Sequence, residues 1–265
     1  MANGTHIEWA DDTFNPWWGC TKVSPGCEHC YAEAFSARMR NDLWGPSAGR
    51  RLATESYWAK PLSWNATAMK KGKSRRVFVA SMADVCEDRA DLDMPRRRLM
   101  RLVEDTPALT WMLLTKRPEN FRRLFAGWGD RWPANVWAMA TVENQEQADR
   151  RIPELLRVPA KVRGLSCEPL LGSLDIACYL DGAYSNDDAH PSIAVPRIDW
   201  VIAGGESGSW ARPPHPYWVR ALRDQCLVTS VPFLFKQWGG VAPDLASFRT
   251  DSLRGDGGSI SRYGS

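Results

Sequence analysis

Six apolar runs set the strongest limit on what this 265-residue chain can fold into. Each run has the length of a strand, and helical patterns separate one run from the next. The runs lie at residues 76–85, 109–118, 135–144, 161–170, 199–207 and 231–240. Their starts are 26 to 38 residues apart, a spacing that is typical of βαβ units and predicts an α/β fold with a parallel sheet. A short strand near residues 13–15 would come first and make seven.

The segments between the runs carry helical periodicity. After the third cysteine of the chain, four apolar residues recur at every fourth position, which predicts an amphipathic helix. They are Tyr31, Phe35, Met39 and Leu43. The segment 93–105 is predicted to place Leu99 and Val103 on one side of a helix and Arg96 nearer the other. Pro153 is expected to divide the helix that follows residue 143.

Composition indicates an ordinary globular protein, with 44% hydrophobic and 25% charged residues. No run of 18 apolar residues occurs, which speaks against a membrane-spanning helix. The polar, acidic start of the sequence is unlike a secretory signal, so we expect a cytoplasmic protein. We expect a single domain over residues 1–240 with insertions near 45–76 and 171–197. A loose tail rich in Gly and Ser would follow over residues 241–265.

Three cysteines stand together ahead of the first predicted helix. Cys20, Cys27 and Cys30 form a C-x6-C-x2-C array in a chain of seven cysteines. An odd number in a chain without a secretory signal favours reduced thiols and a metal site over disulfides. Three thiolates can hold three irons of a [4Fe–4S] cluster and leave the fourth iron open to a small molecule. The alternatives are a zinc site that adds His29 or His6, or three buried, inert thiols.

Polar residues follow the apolar runs where the predicted strands end. Because the carboxyl ends of parallel strands form the active face of α/β folds, we predict that these residues share one site. The candidates are Ser81, Asp84, Thr115, Lys116, Arg117, Glu143, Ser166, Glu168, Gly204, Gly205, Glu206 and Lys236.

Two basic tracts, residues 70–76 and 95–101, raise the question of nucleic acid binding. Their cations could contact phosphates, and Trp-rich loops could stack on bases. The simpler interpretation, which we favour, is a basic lead-in to a strand and a solvated helix face. The formal net charge of +3 neither demands nor excludes nucleic acid.

Six motifs together resemble a known family. They are NPWWGCTKVSPGCEHCYAE, LLTKRPEN, TVEN, LSCEPLLG, VIAGGESG and FLFKQWG, and they run from about residue 15 to residue 240. In this combination they resemble the phage-encoded three-cysteine-motif proteins, a domain of unknown function. The loop is also similar to that of the radical S-adenosylmethionine superfamily, with six residues in place of the usual three in its first gap. His29 stands where that superfamily usually has an aromatic residue, and the GGE element at 204–206 comes late in the chain.

The resemblance implies a partial or full TIM-type (β/α) barrel of about six to eight parallel strands. It also implies a [4Fe–4S] cluster on the three cysteines, with S-adenosylmethionine bound at the open iron. Such an enzyme cleaves S-adenosylmethionine reductively to begin radical chemistry, with flavodoxin or ferredoxin as electron donor. The substrate stays unknown; a phage or prophage gene in a bacterial host would suit a nucleotide or a nucleic acid base, and a partner protein is a further expectation.

As hypotheses of our own, we divide the strand-end candidates into two groups. Those expected to bind the cofactor are Ser81, Asp84, Thr115, Ser166, Gly204, Gly205 and Glu206. Those expected to act in catalysis are Lys116, Arg117, Glu143, Glu168 and Lys236. Two competing hypotheses use the same residues differently: a zinc-stabilised nucleic-acid-binding protein, or a nuclease that binds Mg²⁺ on the strand-end acids.

Overall fold

The computed structural model describes residues 7–184 and 196–241, which form a curled sheet with helices packed against it. The strands are β1 (Asp12–Phe14), β2 (Trp17–Trp18), β3 (Arg51–Leu52), β4 (Arg75–Val79), β5 (Leu109–Thr115), β6 (Val136–Thr141), β7 (Val162–Cys167), β8 (Trp200–Gly204) and β9 (Phe233–Gln237). The α-helices are α1 (Tyr31–Arg38), α2 (Glu55–Trp58), α3 (Lys60–Lys71), α4 (Asp93–Glu104), α5 (Phe121–Leu124), α6 (Gln145–Leu156), α7 (Ala177–Leu180) and α8 (Pro216–Val228).

Seven of these strands make one parallel sheet in the order β1-β4-β5-β6-β7-β8-β9. All seven predicted strands are therefore confirmed. β1 and β9 are the two edges, and no eighth strand closes the sheet within the part of the chain that the structure describes. The result is a half-barrel, the partial form of the predicted TIM-type barrel. β2 and β3 pair separately and antiparallel beside it.

One face of the sheet packs against the helices. Val77 and Leu113 on the strands and Leu99 and Val103 on α4 are fully buried in this layer. Each such aliphatic side chain contributes roughly 1.5–3 kcal/mol when it leaves water. The predicted apolar side of the segment 93–105 is thus confirmed, and it attaches α4 to the sheet.

Arg96 was wrongly predicted to lie on the solvent side of this helix. It is 2% exposed. Its guanidinium donates hydrogen bonds to the backbone oxygens of Val85 and Glu87, at 3.3 and 2.8 Å, and forms an ion pair with Asp93. A buried guanidinium is tolerated when its donors are satisfied in this way.

Pro153 does not divide α6, contrary to the prediction. The helix runs unbroken from Gln145 to Leu156 with the proline inside it. Proline removes one intrahelical hydrogen bond. The fully buried neighbours Ile152 and Leu155 keep the helix attached to the sheet and offset that loss.

The concave face of the sheet holds a second, smaller apolar cluster below the strand ends. It consists of Trp9, Ala10, Phe78, Met112, Met139 and Ile202. The ring of Trp9 lies 4.6 Å from that of Phe78 and 6.3 Å from that of Trp200. The segment before β1 therefore forms a floor inside the half-barrel, and the carboxyl ends of the strands open above it.

The predicted insertions have structure of their own. Residues 45–76 contain β3, α2 and α3, and α7 lies in 171–197. Residues 185–195 and the predicted tail beyond Val241 lie outside the described residues. The basic tract 70–76 runs into the amino end of β4, away from the carboxyl ends of the strands. Within the described ranges, no helix has the length and apolar character needed to cross a bilayer.

Candidate active site

The three cysteines line one cavity at the carboxyl end of the sheet. Their loop leaves β2, passes through a single 3-10 turn at Pro25–Cys27 and ends where α1 begins. Cys20, Cys27 and Cys30 are each partly exposed. The cavity has a volume of about 460 Å³, which is typical of small-molecule sites.

A buried ion pair supports the middle of this loop. One carboxylate oxygen of Glu143 accepts the backbone N–H of Gly26 at 3.2 Å, and the other lies 2.7 Å from Nη1 of Arg151. Both side chains are at most 1% exposed. A Cβ at Gly26 would lie 2.9 Å from Cδ of Glu143, so the approach requires glycine. Glu143, predicted to be catalytic, does not line the cavity and instead holds the loop from behind.

Arg117 supports the first cysteine. It donates to the backbone oxygen of Thr21 at 2.6 Å, and its Nη1 lies 3.8 Å from Sγ of Cys20 and 2.8 Å from Oδ2 of Asp84. Burial, and after it the carboxylate of Asp84, raise the pKa of the Cys20 thiol to about 12, while Arg117 acts in the opposite direction. A thiol must lose its proton to bind a metal, and the guanidinium favours that loss.

Asp84 is held in turn by the neighbouring strand end. Its carboxylate accepts hydrogen bonds from Oγ1 of Thr115 at 2.6 Å and from the backbone N–H of Lys116 at 3.0 Å. These contacts join the loop after β4 to the end of β5. Because Asp84 also faces Arg117, all of its acceptor capacity is used inside the protein.

The third support connects the cysteine loop to the loop after β8. Oε2 of Glu206 lies 3.0 Å from Nδ1 of His29. Arg212 donates to Glu206 through its backbone N–H, Nε and Nη2. The same guanidinium reaches Oε2 of Glu28 at 2.8 Å and the backbone oxygen of Pro25 at 2.9 Å. We call Glu28, His29, Glu206 and Arg212 the Arg212 clasp.

The clasp also fixes a charge state. Burial raises the pKa of Glu206, but the hydrogen bonds from Arg212 and His29 outweigh burial and hold that pKa below its usual value. Glu206 is 4% exposed and stays ionised beside the cavity.

The two glycines before Glu206 allow close packing. The backbone N–H of Gly205 donates to the oxygen of Gln237 at 2.9 Å. A Cβ at Gly205 would lie 1.8 Å from the oxygen of Trp238, so no larger residue fits. Gly204 does not line the cavity, but a Cβ there would lie 3.2 Å from Cδ of Glu168.

A polar wall completes the cavity opposite the cysteines. Glu168 at the end of β7 and Lys236 on β9 form an ion pair of 2.6 Å, with both side chains largely buried. Ser166 and Thr141 lie on the same wall. On the cysteine side, the hydroxyl of Tyr31 donates to the backbone oxygen of Ser81 at 2.6 Å.

Ten of the twelve strand-end candidates line the same cavity as the thiols. They are Ser81, Asp84, Thr115, Lys116, Arg117, Ser166, Glu168, Gly205, Glu206 and Lys236. The other two, Glu143 and Gly204, lie just behind it. The sequence reasoning did not single out Arg212, Arg151 or Gly26 as supports. The contact from Arg212 to Glu28 spans 184 residues, and no local sequence pattern predicts it.

The arrangement of the thiols decides which metal centre they suit. Within residues 7–184 and 196–241, no group of three or more His, Cys, Asp or Glu side chains could hold a single metal ion. The zinc site with His29 therefore has no ligand set among the described residues; His6 lies outside them. A [4Fe–4S] cluster takes each thiolate on a different iron. It needs three thiols around one cavity, and this donor set fits it.

The strand-end acids are each paired with a cation. The pairs are Asp84 with Arg117, Glu143 with Arg151, Glu168 with Lys236 and Glu206 with Arg212. A Mg²⁺ site needs carboxylate oxygens that are free to face the ion. The acids at this cavity are therefore poorly placed for the nuclease hypothesis.

The seven-stranded parallel half-barrel, with the cysteine loop at the carboxyl ends of its strands, is an α/β fold. The chain belongs to the family described as "Protein of unknown function (DUF5131)", whose profile matches residues 4–257. No curated protein matches the sequence significantly.

Solved structures show the same fold at low sequence identity. A spore photoproduct lyase complexed with dinucleoside spore photoproduct is 10% identical, with a TM-score of 0.55 over 92% of this chain and 80% of that one. A mutant of that lyase with bound AdoMet and dinucleoside spore photoproduct is 10% identical, with a TM-score of 0.52 over 86% and 76%. A radical SAM methyltransferase from Sphaerobacter thermophilus, 12% identical over 85% and 66%, has a TM-score of 0.47, too low to support an argument.

Proposed function

We propose that this protein is a radical S-adenosylmethionine-type iron–sulfur enzyme. The observation that carries the proposal is the shared cavity. Three thiols, which suit a [4Fe–4S] cluster, and ten strand-end residues, nine of them polar, line the same space of about 460 Å³. When bound, the cluster supplies the electron for reductive cleavage of S-adenosylmethionine, which starts radical chemistry on the substrate.

The chain's own residues take separate roles in this proposal. Cys20, Cys27 and Cys30 hold the cluster. Ser81 and Ser166 line the cavity and are assigned to the cofactor, and Glu206, kept ionised by the Arg212 clasp, adds a negative charge for the cofactor's amine. The half-barrel floor below and the loops above exclude water, which protects reactive species from side reactions.

The finer identity of the substrate and partners also belongs to this proposal. A nucleotide or nucleic acid base is the substrate class we favour, in keeping with the dinucleoside ligand named for the lyase of similar fold. The electron donor is a flavodoxin or ferredoxin, and a partner protein is a further expectation. We place the enzyme in the cytoplasm of a bacterial host of phage or prophage genes, as a single domain over residues 1–240.

Anaerobic reconstitution with iron and sulfide tests the proposal. We expect about four irons per chain, a reduced EPR signal that shifts when S-adenosylmethionine is added, and release of 5′-deoxyadenosine with dithionite. Cys27→Ser is expected to abolish all three signals. Cys178→Ser is the matched control, because Cys178 is exposed and does not line the cavity; it is expected to behave as the wild type.

Two results would contradict the proposal. One is a colourless protein that holds one zinc or no metal after reconstitution. The other is Cys27→Ser protein with the same iron content and 5′-deoxyadenosine release as Cys178→Ser protein. Either result would assign the three cysteines a structural role.

A further inference from the structure

A second cavity lies beside the cysteine cavity. It has a volume of about 380 Å³. The two cavities share four lining residues, Thr21, Val23, Lys116 and Arg117. The two cavities are therefore neighbours on either side of these four residues, and a ligand that extends past them would reach both.

The second cavity is predominantly cationic. Its positively charged lining residues are Arg89, Lys116, Arg117, Arg150 and Arg151. Its acidic lining residues are Glu87, Asp88 and Glu119, which makes five positive against three negative charges. Two of the acids are neutralised from outside the lining, Glu87 by Arg50 at 2.7 Å and Asp88 by Arg123 at 2.6 Å. Three of the cations are paired in the same way, Arg89 with Asp91, Arg117 with Asp84 and Arg151 with Glu143. The positive charge left for a ligand is therefore that of Lys116 and of Arg150, whose contact to Glu119 is long.

Lys116 is the charge that the protein leaves uncompensated here. It is partly buried, and no ion-pair partner for its ammonium group occurs in the described part of the chain. A partly buried ammonium without a counter-ion is unfavourable, which favours binding of an anion. Lys116 lies on the wall between the two cavities, where such an anion would belong to a ligand that also reaches the cysteines.

Two arginines add donors to the same cavity. Arg151 is 1% exposed, and its Nε has no hydrogen-bond partner among the described residues. Arg150 is held only loosely by Glu119, at 3.7 Å, and its side chain is 63% exposed. Arg150 can therefore turn toward a ligand at little energetic expense.

We propose that the second cavity binds a phosphate group of the substrate, with Lys116 as its main contact and Arg150 as a second. Lysine offers a point charge and arginine a fork of N–H donors, and phosphate oxygens accept both. That the substrate reacts in the cysteine cavity rests on the proposed function. Binding of phosphate in the second cavity does not require a cluster. The substrate class that follows is a small phosphate ester whose reacting part lies over the cysteines.

Isothermal titration calorimetry with inorganic phosphate, on reconstituted and on metal-free protein, tests the inference. We expect saturable binding in both preparations. Lys116→Gln should weaken it roughly tenfold or more, and Arg150→Gln less, because a charge-assisted hydrogen bond is lost in each. Lys70→Gln is the matched control, since Lys70 is exposed near the opposite end of the strands; its affinity should equal that of the wild type.

Three results would overturn the inference. Wild-type protein without saturable phosphate binding is the first, and Lys116→Gln protein with wild-type affinity is the second. The third is competition between phosphate and S-adenosylmethionine, because Lys116 would then hold the carboxylate of the cofactor. Phosphate binding in protein that takes up no iron would support the anion site while contradicting the proposed function, so the two failures are distinguishable.

Discussion

At the scale of single residues, the cysteine loop depends on side chains that never reach the cavity. Gly26 lies against the carboxylate of Glu143, which Arg151 holds in place. Both side chains of the pair are at most 1% exposed, so the pair has little room to move when the loop changes shape. The shape of the loop therefore depends on close packing, and a displacement of a few tenths of an ångström at these contacts would change it.

Gly26→Ala tests this dependence. The added Cβ would lie 2.9 Å from Cδ of Glu143 and must displace either the loop or the buried ion pair. Overpacking of this kind lowers the free energy of unfolding by about 1–3 kcal/mol, which a urea titration measures, and reconstituted iron content should fall as well. Gly49→Ala is the control, because its Cβ has no atom within 4 Å. Equal stability of the two variants would refute the steric argument.

The sequence predicts the surroundings of some residues but not of others. Glu168 and Lys236 were predicted to share a site because parallel strands bring their carboxyl ends together, and the structure joins them in an ion pair. Arg96 was misplaced because charge alone suggested solvent, whereas its donors are satisfied by backbone oxygens from a loop. Contacts such as those of Arg96 arise from tertiary structure, and the local periodicity of the sequence does not predict them.

At the scale of elements, two loops far apart in sequence behave as one unit. The cysteine loop and the loop after β8 are joined by the Arg212 clasp, which includes contacts to Glu206, Glu28 and the backbone of Pro25. Neither loop has regular secondary structure of its own beyond a single 3-10 turn. Their order comes from each other.

Arg212→Gln is expected to loosen both loops together. Hydrogen bonds to charged groups contribute about 1.5–3 kcal/mol each, less where water competes, so amide exchange should be roughly tenfold faster over residues 22–30 and 205–212. Hydrogen–deuterium exchange with peptide resolution measures this. Arg223→Gln is the control, because its partner Asp224 is adjacent on α8 and both side chains are exposed. Faster exchange in one loop alone would mean that the clasp does not couple them.

Elements were predicted well where periodicity was strong. Six of the seven strands of the sheet were predicted from apolar runs, which buried parallel strands require. The helix after Cys30 was also predicted, yet its apolar stripe faces solvent: Tyr31 is 50%, Phe35 42% and Met39 52% exposed. The buried residues of α1 are Ala32 and Ser36. Periodicity identified the helix but not the side that it buries, because the short helix packs through small residues.

At the scale of the whole molecule, the segment before β1 fills the bottom of the half-barrel. Within the described residues, no eighth strand closes its side. Trp9 is 4% exposed and packs on Phe78 inside the curl. The apolar core on the other face is much larger and contains the helices. The concave side thus depends on a few large side chains.

Trp9→Ala should destabilise the protein by about 3–5 kcal/mol, the usual effect of removing a large buried aromatic residue. The midpoint of urea unfolding measures it. Trp210→Ala is the matched control, since Trp210 is 80% exposed and surface changes usually stay within about 0.5 kcal/mol. Trp9→Phe should stay near the wild type, because the indole N–H of Trp9 has no partner among the described residues. A small effect of Trp9→Ala would mean that the floor is dispensable.

The wide sequence separation of the loop from its supports has a consequence for biosynthesis. Arg117, Glu143 and Arg212 contact the loop across 97, 117 and 184 residues. At roughly 5–20 residues per second, the ribosome needs about ten to forty seconds to span the last of these distances. During that interval the thiols have been made but cannot yet be held in their final arrangement. In the proposed enzyme, insertion of the cluster would therefore follow synthesis of Arg212, and the thiols would have to stay reduced until then.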